Sequence, residues 1–314
     1  MPFPSTLTPV AFLALFFASR SLATDGKSSG PSPRADTVWQ PAVGASWQIV
    51  LAQGLSEADT SLDVDVFDID LFENDASMIS SLHERGQKVI CYFSAGSYED
   101  YRPDQDKFKE SDIGSPLDGW EGEWWLDLRS ETVRDIMISR LDMASDKGCD
   151  GVDPDNVDGY DNENGLDLTT NDTIEFVNWL ADEAHARGMS IGLKNAGHII
   201  PDVIENMEWS VNEQCVEYSE CEVFAAFIDQ GKPVFHLEYP KGEDVNDNNP
   251  VAEGTANRIC EDPDAAGFST LMKNMNLDAW LQACENSKAS MHGLKSNLWM
   301  AGPAVITLAL SYIM

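Results

Sequence analysis

Five aspartates crowd the stretch "GCDGVDPDNVDGYDNENG", Gly148 to Gly165: Asp150, Asp153, Asp155, Asp158 and Asp161. Like charges so close together repel one another, so the stretch needs a reason. A helix-loop-helix calcium loop places oxygen ligands at positions 1, 3 and 5, Gly at 6 and Glu at 12. Counted from Asp153, position 5 is Val157, and no other start restores the pattern. Asp158, Asp161 and Glu163 read as an ordinary solvated turn. Asp153 and Asp155 differ, because they end the run "DGVDPDN" and the two-residue period of a strand sends both side chains to one side. If the strand belongs to a barrel, one of the two can face Glu213, two strands further round. A pair of carboxylates across a barrel mouth can hydrolyse a glycosidic bond: one donates a proton to the leaving oxygen, and the other attacks or activates water.

The elements that would hold these residues recur along the chain. The apolar runs "SWQIVLA", "VDVFDIDL", "KVICYFSAG", "CDGVDPDN", "MSIGLKNA", "EWSVNEQC", "PVFHLEYP" and "FSTLMKN" predict eight strands. Between them lie amphipathic segments such as "DASMISSLHERG" and "TTNDTIEFVNWLADEAHARG", which open on Asp or Thr caps and close on Gly. Strand, helix, Gly, strand over this length is the pattern of an α/β fold, a single (β/α)8 TIM barrel. An open doubly wound sheet is the alternative, but no strand is followed by its Gly-rich phosphate loop. Barrel sites lie at the carboxyl ends of the strands. The residues there are Asp68 and Asp70, Tyr92 and Ser94, Asp153, Asp155 and Asn156, Lys194 and Asn195, Glu213, Glu238 and Tyr239, and Lys273. Some only cap helices. Lys194, Glu213 and Glu238 need a partner or a task, since charged strand ends in a barrel are seldom buried without one. Aromatic residues near the rim, Tyr98, Trp120, Trp124, Trp125 and Tyr239, offer faces on which sugar rings stack.

The remaining features set the compartment. Twenty basic side chains against fifty-four acidic ones give a formal charge of −34. Such a surface repels nucleic acid and anionic lipid, and favours cationic partners. Residues 1–23 read as a signal peptide, with an apolar stretch from Val10 to Phe17 and the small-residue pattern Ser21-Leu22-Ala23. Residues 24–35 form a linker, and 36–286 the barrel. The tail 287–314 carries a terminal apolar run after a short polar spacer, which reads as a GPI-anchor signal with Asn286, Ser287 or Ser290 as attachment site. The protein is therefore expected outside the cell or on its surface, touching membrane only through the anchor, and acting as a monomer. Six cysteines fit disulfides in that compartment. Cys215 and Cys221 can close a small loop and Cys260 can pair with Cys284, while Cys91 and Cys149 remain as a third pair or as free thiols. CxxC spacings and clustered His are absent, so no metal or other cofactor is expected. The sequon Asn171-Asp172-Thr173 suits the same route.

The motifs "VICYFSAGSYEDYR", "GCDGVDPDNVDGY", "IGLKNA", "VNEQC" and "FHLEYP", in order from about Trp39 to Cys284, resemble those of glycoside hydrolase family 114. Characterised members of that family are endo-α-1,4-polygalactosaminidases with a barrel fold. The resemblance implies Asp155, from "PDN", and Glu213, from "NEQC", as the catalytic pair, with Asp153 as the other candidate for Asp155's part. It also implies a secreted, partly deacetylated galactosamine polymer as substrate. Such a polymer is a polycation, which gives the acidic charge a use. Substrate contacts are expected from Asp68, Asp70, Tyr92, Asp153, Asn156, Lys194, Asn195, Trp125, Glu238 and Tyr239. Strand ends two positions apart lie near 10 Å between backbones, at about 4.8 Å per step, so the acids can close to the roughly 5 to 5.5 Å of a retaining enzyme. On that reading Asp155 is the nucleophile, Glu213 is an acid and base whose pKa is raised, and Lys194 pairs with Asp155. A cell-surface carbohydrate-binding barrel without catalysis is the alternative, and a structural wall protein is disfavoured by the lack of Ser and Thr-rich stalks.

Overall fold

The computed structural model describes residues 38–242 and 247–284. The expected signal peptide, the linker and the apolar tail with its attachment candidates lie outside the described residues. All eight predicted runs carry a parallel strand. The chain lays down β1 (Trp47–Val50), β2 (Val66–Asp70) and β3 (Lys88–Ser94), then makes an excursion through β4 (Ser97–Glu99), β5 (Ile113–Pro116) and β6 (Glu123–Leu126). These three form a small antiparallel sheet of their own, in the order β4-β6-β5. The chain returns with β7 (Gly151–Asp155), β8 (Ser190–Lys194), β9 (Trp209–Glu213), β10 (Val234–Glu238) and β11 (Ser269–Lys273), and ends on β12 (Leu281–Ala283), antiparallel to β11. Neighbours in the main sheet follow chain order, β1-β2-β3-β7-β8-β9-β10-β11-β12. The result is a nearly closed (β/α)8 barrel.

Between β1 and β11 the described residues show no strand ladder, and side chains span the gap instead. Trp47 Nε1 donates to the Ser269 carbonyl at 2.8 Å, and Ser269 Oγ to the Ala45 carbonyl at 2.7 Å. Lys273 Nζ donates to Gln48 Oε1 and to the Ile49 carbonyl, both at 2.8 Å. Lys273 thus closes the barrel and does not face a substrate. Burial pulls its ammonium down to about 7, because the acceptors around it are neutral oxygens, and the more distant Asp278 charge opposes this only in part.

Helices lie outside the sheet: α1 (Ala76–Glu84), α2 (Glu131–Lys147), α3 (Thr170–Ala186), α4 (Ile200–Val203), α5 (Cys215–Tyr218), α6 (Cys221–Asp229) and α7 (Glu253–Cys260). Their starts and stops follow the residues read as caps. The Asp75 carboxylate accepts the Ser77 and Met78 amides at the head of α1, and Thr169 with Asp172 forms a capping box on α3. Gly148 ends α2 in the left-handed conformation at φ +90°. Asn171 of the sequon is exposed in the first turn of α3.

Strand alternation divides the core. Trp47, Ile49, Val66, Ile90, Trp209, Val211, Phe235, Leu237 and Leu271 form one cluster inside the barrel. Their neighbours, such as Phe67, Val89, Val152 and Ile191, pack outward against the helices. The Trp209 indole fills the space beside Gly151 and Gly192, where an added Cβ would come within 2.5 Å and 2.0 Å of its ring. Three disulfides complete the frame, Cys91–Cys149, Cys215–Cys221 and Cys260–Cys284, and settle the open pairing in favour of a third bridge.

Candidate active site

Three consecutive strands, β7, β8 and β9, end on Asp155, Lys194 and Glu213. Each then leaves the sheet through a non-glycine residue at positive φ: Asn156 (59°), Asn195 (52°) and Gln214 (63°). Such backbone costs about 1–3 kcal/mol per residue and persists where the surroundings fix it. Here the asparagine side chains do so. Asn195 Oδ1 accepts the Glu213 amide and its Nδ2 donates to Glu213 Oε2, both at 3.0 Å. Asn156 donates its amide to Asp155 Oδ1 at 2.7 Å and its Nδ2 to Ser94 Oγ at 2.9 Å. The turn that would carry strain therefore also aims the carboxylates.

Lys194, 3% exposed, sits between the two acids. Its Nζ lies 3.4 Å from Asp155 Oδ1 and donates directly to Glu213 Oε2. A charge-assisted hydrogen bond spans about 2.8 Å, so the two carboxylate oxygens are at most roughly 6 Å apart. A tyrosine serves each acid: Tyr92 Oη donates to Asp155 Oδ2 at 2.8 Å, and Tyr239 Oη donates to Glu213 Oε1. Burial, then the charge of the partner acid, raises the pKa of both phenols, so they stay protonated as donors. Burial also raises Glu213, but the Lys194 charge and the bonds from Lys194, Tyr239 and Asn195 outweigh it and hold the carboxyl below its usual range. The expectation that Glu213 is raised and that Lys194 belongs to Asp155 is therefore corrected. Lys194 touches both acids and bonds Glu213 the more closely, because Asn195 and Tyr239 fix that carboxylate beside it.

Two cavities meet at this triad. One, of about 530 Å³, is lined by Asp155, Tyr92, Lys194 and residues of the β4–β6 excursion, including Glu99, Tyr101 and Glu123. The other, of about 420 Å³, runs past Tyr239, His198, Tyr160 and Tyr218. Glu213, Asn195, Asp158, Trp120, Met275 and Leu277 line both. Asp155 lines only the first.

The family model for glycoside-hydrolase family GH114 matches residues 28–289. The chain belongs to glycoside-hydrolase family GH114. It is a glycoside hydrolase, as the motifs implied. Among solved structures, the Aspergillus fumigatus protein Ega3, crystallised in complex with galactosamine, is 60% identical over 81% of this chain and 100% of its own, with a TM-score of 0.78. The glycoside hydrolase domain of PelA from Pseudomonas aeruginosa is 15% identical over 74% of this chain and 96% of its own, with a TM-score of 0.59, and shares the fold. No curated protein sequence matches the chain.

Against this GH114 cleft, the other expected contacts divide. Asn156, Lys194, Asn195, Tyr92 and Tyr239 all line it. Asp70 does so too, but its carboxylate is taken by Arg102 at 2.7 and 3.1 Å. Asp68 and Asp153 do not reach the cleft. Both are fully buried side by side, a layer deeper in the barrel, and no other described group donates to their oxygens. Of the two candidate aspartates, Asp155 alone lines a cavity. Burial and then the Asp153 charge raise Asp68 well above the usual range; burial raises Asp153 to about 8, against the pull of Lys194. A proton held between the pair supplies their mutual hydrogen bond. Glu238 points away from the barrel interior, because alternation puts Leu237 inside; it accepts from the Val216 amide at 2.8 Å and contacts His236 at 3.0 Å. His236 also adjoins Cys215, whose sulfur is bound in the disulfide with Cys221 and is not free for a metal. Trp125 is buried against Gly159 and Leu168, outside both cavities, and the exposed rim aromatics are Trp120, Tyr101 and Tyr218.

Sequence reading missed the excursion and Asp158. Arg102 ties the excursion down through Asp70 and Glu99, and the fully buried Arg140 of α2 grips Asp104 through two bonds of 2.9 Å and the Ser94 carbonyl at 2.6 Å. The "YEDYR" acids and arginine were visible in the sequence, but their long-range partners were not. Asp158 looked like part of a solvated turn, and only two residues of chain separate it from Asp155.

Proposed function

We propose that this GH114 protein is an endo-acting, retaining hydrolase of α-1,4-linked galactosamine polymers, with Asp155 as nucleophile and Glu213 as acid and base. The observation that carries this reading is the single ammonium held by both carboxylates. It bounds their oxygens at roughly 6 Å, below the ~6.5 Å at which inverting pairs begin, since an inverting enzyme must seat a water between them. The roles follow from position. Glu213 stands where the two cavities meet, so it can reach an oxygen shared by sugars on either side, whereas Asp155 faces only the cavity whose sugar it would attack. A cleft that continues on both sides of the acids suits cleavage within a chain. The relative crystallised with galactosamine, and an acid-lined cleft on a chain of net charge −34, support a cationic amino sugar as substrate.

Incubating the protein with polygalactosamine should release new reducing ends as short oligomers, with the α-configuration kept in the first product seen by NMR. Release of β-anomers would refute retention, and the absence of any new reducing ends would favour a binding barrel. The same proposal includes export and anchoring, supported by three disulfides and by the sequence of both termini. Deleting residues 298–314 should move the protein from the cell surface into the medium. Full-length protein recovered wholly from the medium would contradict an anchor.

A further inference from the structure

The acids that meet at the centre of the cleft have a cation: Asp155 and Glu213 share Lys194, and Asp70 and Glu99 hold Arg102. Glu123 instead accepts from Ser97 Oγ at 2.8 Å. Asp158 lacks a cation: among the described residues none lies within 4.0 Å of its carboxylate. Yet it lines both cavities, beside Glu213, Asn195 and Trp120. Burial and then the charge of Asp155 push it up to about 6, with Glu213 adding to the effect and Lys194 opposing it. The local turn does not need the carboxylate, since it is the Asp158 carbonyl that accepts from the Asp161 amide and Asn162 Nδ2, both at 3.0 Å. An uncompensated acid facing two others raises the energy of the empty cleft. A ligand that brings a positive charge to that point lowers it again.

We propose that Asp158 selects for the free amine, its carboxylate receiving the ammonium of a sugar unit beside the bond to be cleaved. This rests on the galactosamine reading and adds the residue that enforces it. An acetamido group in the same place carries no charge and leaves Asp158 unpaired, which penalises the acetylated unit.

The test uses the Glu213→Gln protein, which is expected to hold substrate without turning it over, and calorimetry with two probes: a galactosamine oligomer and its fully N-acetylated counterpart. Adding Asp158→Asn should weaken binding of the first by about ten- to a hundredfold, the span of a lost charge-assisted bond, and of the second by no more than about threefold. Asp158→Ser, which keeps a turn-forming residue, should do the same. Both variants should melt no lower than their parent, because a repelled charge has been removed. In the otherwise wild-type enzyme, Asp158→Asn should raise KM for the deacetylated polymer by a larger factor than it lowers kcat. Equal losses on both probes, or none on the first, would overturn the proposal while leaving the galactosamine reading in place. Should the Glu213→Gln parent, with Asp158 intact, bind neither oligomer, the galactosamine reading itself fails and the proposal with it.

Discussion

Asp155→Asn and Glu213→Gln are each expected to slow cleavage of a galactosamine polymer by roughly a thousandfold or more, the combined scale of losing a nucleophile or a positioned proton donor. Both variants keep the shape of the site, and both should still bind the polymer. The roles separate with a synthetic aryl glycoside, whose phenolate leaves without a proton. On that substrate Glu213→Gln should still release the phenol in an initial burst, and Asp155→Asn should not, because the bond to the anomeric carbon cannot form without Asp155. A burst from Asp155→Asn and none from Glu213→Gln would exchange the two roles. Near-normal rates in either variant on the polymer would remove the pair from the mechanism.

Lys194→Met should show its effect in two measurements at once. In the free protein Lys194, with Tyr239 and Asn195, holds the Glu213 carboxyl below its usual range, against burial, which raises it. An acid catalyst held that low is protonated only at acid pH, so kcat/KM of the native enzyme should fall as pH rises from the acid side. Without the ammonium, burial dominates and the pKa of Glu213 rises, moving the alkaline limb of the profile to higher pH. The stability change has the matching sign. A depressed Glu213 stabilises the native fold above its unfolded pKa of about 4.3, and that contribution is lost as pH falls through the lower folded value. In Lys194→Met the folded pKa lies above the unfolded one, so the variant is least penalised in acid and loses stability as pH rises past the unfolded value. Breaking a buried ion pair costs about 3–5 kcal/mol, or roughly 6–15 °C in Tm for a domain of this size at neutral pH, shrinking toward pH 4. An unmoved alkaline limb, or a Tm deficit that grows in acid, would mean that Lys194 does not set the state of Glu213.

The sequence by itself determined the eight strands, their order and the acids at their ends. Parallel strands buried on both faces read as apolar runs, and the polar residues at their carboxyl ends mark the rim where barrel sites lie, which is how Asp155, Lys194 and Glu213 could be named as candidates without coordinates. It also carried the caps of α1 and α3 and the family motifs. Only the tertiary structure decided which strand-end residues meet the cleft. Alternation assigns a side but not a depth, so Asp153 and Asp155 share the inward side while only Asp155 reaches the cavity. At β10 the alternation falls the other way and turns Glu238 outward, leaving Tyr239 to bond Glu213. The partner of Lys194, the Cys91–Cys149 bridge and the wall built from the β4–β6 excursion depend on contacts between residues far apart in the chain, such as Arg140 with Asp104 and Arg102 with Asp70. No local pattern encodes those distances, because they exist only once the barrel has closed and burial has forced each buried charge to find its counterpart.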